Sequence, residues 1–381
     1  MTDAIDFHDL TRRAVAHVAA RSTDQAESTM ALDVGAYFDP DRYRHEVERI
    51  FHRLPLAVAL SQEIAAPGSY VARTIMGVPV LLARAEDGVA RAFVNVCRHR
   101  GAPVCAPGQG TRKRFLCPYH AWSYDLTGAL DNVYGESTFG DIDRAALSLA
   151  KLPCAERAGL IWVALKPGAG FDIDAWLGDF AGQLEALDLN NWHIYERREL
   201  DGPGWKVAWD GYLEGYHQSP LHPETVGKNT IGNMMVVDTY GPHQRIVFGR
   251  KSLAGLVGRP EAEWDVRQHV RVIHSTFPNL SISGVLGDHA LVSQLYPGPT
   301  PDRSLTVQTM LCREKPTTPA QEQANATFSA MVLEAVAEED YAVGFKIQDG
   351  LASGGNGQFV FGRNELTLQH YHRWVERFAR E

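Results

Sequence analysis

Apolar residues gather in short, strand-length runs through the first half of the chain. Such runs span residues 54–60, 68–74, 78–84 and 89–96, with further ones at 114–116, 124–130 and 160–165. Pro67-Gly68, Met76-Gly77 and Asp87-Gly88 separate the first four. Short apolar runs between Gly-containing turn pairs predict strands joined by hairpins. Residues 45–166 therefore read as a small all-β domain. The polar stretch before it, 1–44, reads as an N-terminal helical arm. Leu10, Val15 and Val18 give its first part a weak apolar stripe. Asp39 or Asp41 can cap a helix that carries Pro40 in its first turn and runs to residue 51.

Beyond Gly168-Ala169-Gly170 the period becomes helical. Trp176, Leu177, Phe180, Leu184 and Leu187 mark one helix over 174–187, and a second is expected over 204–216. A long amphipathic helix is expected over 318–347. Another runs over 365–378, after a flexible Ser-Gly-Gly-Asn-Gly joint at 353–357. Strand patterns lie between them at 192–200, 270–282, 290–297 and 305–312. The expected fold is α+β: an all-β domain at 45–166, then an antiparallel sheet gripped by helices over 167–381.

Composition narrows the function classes. The net charge of −9 comes without a long basic run, which argues against nucleic acid and anionic membranes as main partners. No apolar run approaches the ~18 residues that span a bilayer, and residues 1–20 lack the apolar core of a secretory signal. Five cysteines in 381 residues are no disulfide scaffold. Cys105, Cys154 and Cys312 read as small buried hydrophobes, and a reducing, cytoplasmic setting is expected.

The other two cysteines belong to the most informative stretch. Cys97-Arg98-His99-Arg100-Gly101 is followed, after a Gly-rich bend, by Cys117-Pro118-Tyr119-His120-Ala121-Trp122. Two thiolates and two imidazoles on two loops can hold a tetrahedral zinc. They can also hold a Rieske [2Fe–2S] cluster, with two cysteines on one iron and two histidines on the other. Each loop here offers one Cys and one His, so each can reach both irons. That mixed order favours the cluster.

A second constellation follows. Glu214 and His217 are spaced to share a helical face, and His222 comes round just beyond Pro220. Two histidines across a helix end can bite one metal and leave room for a carboxylate. That is the 2-His-1-carboxylate pattern of non-haem Fe(II) sites. Alone, such a pair near a Pro-containing turn is more often a surface or core feature.

Together, the C-x-H, C-x-x-H and E-x-Y-H-x₄-H stretches resemble the catalytic α subunit of the Rieske non-haem iron oxygenases, also called ring-hydroxylating oxygenases. The resemblance covers about residues 37–350. It implies a Rieske domain with Cys97, His99, Cys117 and His120 on the cluster. The catalytic domain would hold mononuclear iron on His217, His222 and Asp340. Asp340 matches the family's third ligand, since it follows Glu338-Glu339 and precedes Gln348; Glu339 is the alternative. Glu214 would bridge His120 of one subunit to His217 of the next. A Glu here, rather than Asp, resembles the homotrimeric branch. Asp210-Gly211 departs from the family's common Glu-Asn.

The resemblance further implies O₂ as co-substrate and electrons from NAD(P)H through a reductase, with or without a ferredoxin. Met234, Met235, Val236, Phe277, Ile282, Leu291, Val292 and Phe345 are candidate pocket residues, with 253–257 as a lid. They would suit a hydrophobic aromatic or polycyclic substrate, hydroxylated or oxidatively demethylated. The alternative is a quaternary amine, as in the choline and carnitine oxygenases, caged by Trp209, Tyr212 and Tyr216. A second alternative is a Rieske electron carrier without oxygenase chemistry.

Overall fold

In the computed structural model, which describes residues 5–380, the short runs of the first half fold as three antiparallel sheets. Five strands pair in the order Lys151–Leu152, Ala90–Val94, Val78–Arg84, Ser69–Ile75, Gly108–Thr111. Met76 and Gly77, both left-handed, make the two-residue hairpin turn between the third and fourth of these. Leu56–Leu60 is buried at every position and pairs with Leu160–Val163, which in turn pairs with Cys154–Arg157. The third sheet joins Phe115–Leu116, Ser123–Tyr124 and Leu130–Asn132. Leu81, Phe93, Phe115, Trp122 and Tyr124 pack into one core with Cys97 and Cys117. The cluster loops are thus anchored from inside.

The chain forms two compact units, Phe51–Trp176 and a larger one joining Met1–Ile50 to Leu177–Glu381. The boundaries fall some residues beyond 44 and 166. The expected N-terminal arm is part of the larger unit: the helix Phe7–Ala20 packs on the strand Thr230–Tyr240, and Arg13 pairs with Asp238 at 2.9 Å.

The larger unit is built on a seven-stranded antiparallel sheet. Its order is His193–Gly202, Ser304–Cys312, His289–Pro297, Leu280–Ser283, Val270–Thr276, His243–Arg250, Thr230–Tyr240. The single strand expected over 270–282 is instead two. Pro278 cannot donate to a ladder, and the chain turns there before Leu280 pairs back on Thr276. The edge hairpin Thr230–Tyr240 and His243–Arg250 was not expected; Gly241, with φ 56°, makes its turn. Helices Trp205–Leu213, Pro319–Leu333, Ala342–Leu351 and Leu366–Arg380 belong to the same unit. Thr318 starts the second of them with a capping box to Gln321, and Pro319 occupies its first turn. Among the described residues no helix is long and apolar enough to cross a membrane.

The helix expected over 318–347 is continuous but irregular. Between Pro319–Leu333 and Ala342–Leu351 the chain widens into a π-type stretch, Glu334–Tyr341. Such wide turns gather at functional sites, and this one carries Glu339 and Asp340.

Candidate metal centres

The two loops at Cys97 and Cys117 repeat one backbone design. The Cys97 amide donates to the Ala102 carbonyl, and the Gly101 amide donates back to the Cys97 carbonyl. Cys117 and Trp122, with Ala121, make the same two bonds. In each loop the fifth residue is left-handed: Gly101 at φ 80° and Ala121 at φ 55°. The tight turn holds each Cys and its His on one side. The rings of His99 and His120 lie 4.7 Å apart, and His99 stacks on Trp122 at 4.8 Å.

The chemistry of these groups fits a [2Fe–2S] cluster. Cys97 and Cys117 are buried free thiols, and the Nδ1 atoms of His99 and His120 are buried without a hydrogen-bond partner. An orphaned imidazole nitrogen is costly to bury; a metal satisfies it. Burial pushes the Cys97 thiol up, although the Tyr124 hydroxyl, 3.3 Å from its sulfur, works against this. Burial also lowers the His99 range, helped by His120 and Arg100. His99 is thereby kept neutral, as a ligand must be.

The second centre is assembled differently. The helix of Trp205 ends at Leu213, short of the expected 216. Glu214 is extended (φ −132°, ψ 164°), so it shares no helical face with His217. Its carboxylate instead accepts the amides of Tyr216 and His217 and bonds His217 Nδ1. Gly215 is required between them: a Cβ there would lie 2.6 Å from the Phe248 ring. The short helix Gln218–Leu221 then delivers His222.

Asp340 meets both histidines. Its Oδ1 is 2.8 Å from His222 Nε2 and 3.5 Å from His217 Nε2. The ligand atoms of the three residues all lie within 4.8 Å of one another, the spacing one metal ion needs. Glu339 does not join them. It bonds His222 Nδ1 at 2.7 Å, as Glu214 bonds His217. Each imidazole is therefore gripped from behind by a carboxylate and presents Nε2 forward, an arrangement typical of metal-binding histidines. Burial would lower the His222 imidazolium, but Asp340 and Glu339 outweigh it and hold it above its usual range. The site thus favours positive charge, which a cation supplies in place of the proton. Sequence reasoning had no sign of the Glu339 role. In a regular helix neighbouring side chains diverge by about 100°; here the wide turn brings two consecutive carboxylates to one histidine.

A cavity of about 120 Å³ opens at these three residues, lined also by Tyr212, Phe248 and Arg271. A larger one of about 370 Å³ shares Val226, Arg271, Ser283, Ala335 and Val336 with it and continues outward past Leu291 and Phe328. Of the eight expected pocket residues only Leu291 lines either cavity. Met234, Met235, Val236, Phe277, Ile282 and Val292 are buried in the core, and Phe345 lies under the Arg303 guanidinium. Residues 253–257 are no loose lid, since Leu253 and Leu256 are buried. The expected aromatic cage is absent too. Trp209 is core, packed on Tyr371 and stacked on Tyr212; Tyr216 is 59% exposed; only Tyr212 reaches the cavity at the metal residues.

Comparison with known proteins adds independent findings. Residues 189–381 match the ring hydroxylating alpha subunit (catalytic domain) family, and 55–144 match the Rieske [2Fe-2S] domain. The carnitine monooxygenase oxygenase subunit of Escherichia coli (strain K12) is 35% identical over 190 residues, 49% of this chain and 50% of that protein. The glycine betaine monooxygenase oxygenase subunit of Chromohalobacter salexigens is 30% identical over 247 residues, 64% of this chain and 53% of that one. The chain spans about half the length of the curated relatives it matches. A solved quaternary ammonium Rieske monooxygenase, described for carnitine oxidation and inter-subunit electron transfer, shares the fold. Its TM-score is 0.79 over 98% of both chains, at 22% identity.

Proposed function

The chain belongs to the ring-hydroxylating alpha subunit family, and from that premise we propose that it is the oxygenase component of a Rieske system acting on a small quaternary ammonium compound. The observation that carries this reading is the pair of centres in one chain: twin Cys/His loops, and a facial set of His217, His222 and Asp340. In this reading Cys97, His99, Cys117 and His120 hold the cluster, and the three other residues hold mononuclear iron. When bound, that iron supplies open positions for O₂. The net reaction is a monooxygenation. R–H, O₂, two electrons and two protons give R–OH and water, the electrons coming from NAD(P)H through a reductase. Glu214 and Glu339 keep the two imidazoles oriented with Nε2 forward, and Asp340 closes the third side.

The quaternary ammonium reading replaces the aromatic one because of the relatives named above, and because the expected apolar lining lies elsewhere in the core. A homotrimer, in which Glu214 would link His217 to His120 of the next subunit, agrees with the exposure of Leu116, Tyr119 and Tyr134 near the cluster loops.

A single turnover tests the reading. The protein, loaded to about three irons per chain, is photoreduced without a reductase and given ¹⁸O₂ with quaternary amines, aromatics and steroids. A labelled hydroxyl, or loss of a methyl, on a quaternary amine is expected. Labelled product from aromatics alone overturns the substrate class. Failure to retain mononuclear iron leaves an electron carrier.

A further inference from the structure

Arg271 stands out among the partly or fully buried cations of the larger unit. Arg245 is paired with Asp238 at 2.8 Å, and Arg198 is bonded to Gln308 at 2.8 Å and to Ser329. Arg271 lines both cavities described above, yet none of its side-chain nitrogens has a hydrogen bond or ion pair among the described residues. It lies on Val270–Thr276, opposite Phe248, and Ile273, two residues on, lines the same inner cavity. Alternation along a strand puts these side chains on one face. That face also meets His217, His222 and Asp340 in the inner cavity.

The charge that acts on Arg271 is of the same sign. Arg250 lines the outer cavity, likewise without a side-chain partner, and its charge adds to burial in lowering Arg271 to about 10. Arg271 therefore remains a cation at neutral pH. A half-buried guanidinium beside another cation is stabilised when an anion joins it. Among the described residues no carboxylate pairs with it; Glu214 and Asp340, which share the inner cavity, are bonded to His217 and His222 instead. Asp288 is the acidic residue on the outer cavity's wall, so Arg250, Arg271 and Asp288 sum to one positive charge there. That balance suits a monoanion better than a phosphate dianion.

We infer that Arg271, assisted by Arg250, anchors a carboxylate at the end of the substrate remote from the metal residues. The substrate would be a small amino acid derivative whose trimethylammonium end lies near His217, His222 and Asp340. This rests on the quaternary ammonium reading for the identity of the other end, but the anchor is separable from it. A guanidinium recognises a carboxylate by two parallel hydrogen bonds. The inner wall then needs no aromatic cage, because orientation comes from the carboxylate end. Phe248, Ile273 and Val336 give the stem between the two ends an apolar path along the inner cavity.

Calorimetric titration of the iron-loaded protein tests the anchor with four probes: 4-trimethylammoniobutanoate, its methyl ester, butanoate and butyltrimethylammonium. Both carboxylates should bind, and the ester and the simple cation should bind roughly 10- to 150-fold more weakly than the full acid. Arg271→Gln should bring the acid down to the level of the ester, with the [2Fe–2S] spectrum and iron content unchanged. Arg271→Lys should fall between, since it keeps charge but loses the fork. Without ligand, Arg271→Gln should melt no lower than wild type, because the native guanidinium has no protein partner to lose.

Equal binding of acid and ester overturns the anchor. So does a preference that survives in Arg271→Gln, a marked loss of ligand-free stability in that variant, or failure of both carboxylates to bind. If butanoate binds through Arg271 but the trimethylammonium probes bind no better and are not oxidised, the anchor stands and the quaternary ammonium reading falls.

Discussion

All four proposed cluster ligands come from one stretch, Cys97 to His120, and are positioned by backbone. Twin loops with the same two hydrogen bonds and the same left-handed residue fix them. The proposed mononuclear site in the larger unit draws instead on two distant stretches, His217–His222 and Asp340. It is positioned by side chains, with Glu214 behind one histidine and Glu339 behind the other. A site held by backbone tolerates change around it and fails when a ligand goes. A site held by carboxylates behind its ligands can be weakened by degrees.

The largest effects should therefore be all-or-none and separable. Cys117→Ser is expected to abolish the [2Fe–2S] absorption and EPR signals while the larger unit still takes up one Fe(II). Asp340→Ala should do the reverse, lowering iron from about three to about two per chain and leaving the cluster spectrum intact. Unchanged iron content in Asp340→Ala would remove Asp340 from the ligand set. Loss of the cluster in that variant would mean that the two centres are not built independently.

An intermediate effect should appear only at the second centre. Glu339→Gln keeps the shape but weakens the hold on His222 Nδ1, and removing such a partner typically costs about 10- to 100-fold in metal affinity. Competition with a calibrated chelator would read this directly. Glu214→Gln should cost a similar amount through His217. Among the described residues no carboxylate of the same chain bonds His99 or His120: their Nδ1 atoms have no hydrogen-bond partner, and the His99 ring packs against Trp122 and Phe139. If Glu339→Gln binds iron as tightly as wild type, side-chain support is not what positions the second centre.

The same contrast explains what could be read from the sequence. Residues placed by a local loop leave a local signature, so the twin loops that bring Cys97, His99, Cys117 and His120 together were legible from spacing. The short strands around them were legible because turn pairs such as Met76-Gly77 separate them. His217 and His222 were legible as a pair, but the reason offered for Glu214, a shared helical face, was wrong. The helix stops at Leu213, and a tight turn through Gly215 does the work. Asp340 was reachable only through family resemblance. The role of Glu339 was out of reach, because nothing in Glu338-Glu339-Asp340 announces a widened turn. The cavity was misread for a related reason. Apolar residues in strands are counted equally by pattern whether they face the core or the site, and Met234, Val236 and Ile282 face the core. Arg271 was passed over because a charged residue in a strand pattern reads as a solvated position.

The smallest expected effect separates two explanations of how Asp340 is held. Thr318 accepts the Gln321 amide, and the Gln321 side chain reaches back to the amide of Thr318. Thr318→Ala removes this box at the start of the helix that leads into the wide turn. Loss of such a cap costs about 0.5–2 kcal/mol, which denaturant unfolding followed by far-UV dichroism of the larger unit would detect. Iron affinity should move by less than about threefold, because fraying of a helix end is confined to its first turn and Asp340 lies well beyond it. The carboxylates at His217 and His222 would still be in place. Should Thr318→Ala instead weaken iron binding as much as Glu339→Gln does, the rigidity of the long helix would be what presents Asp340. The second centre would then resemble the first more closely, with backbone fixing its ligands as well.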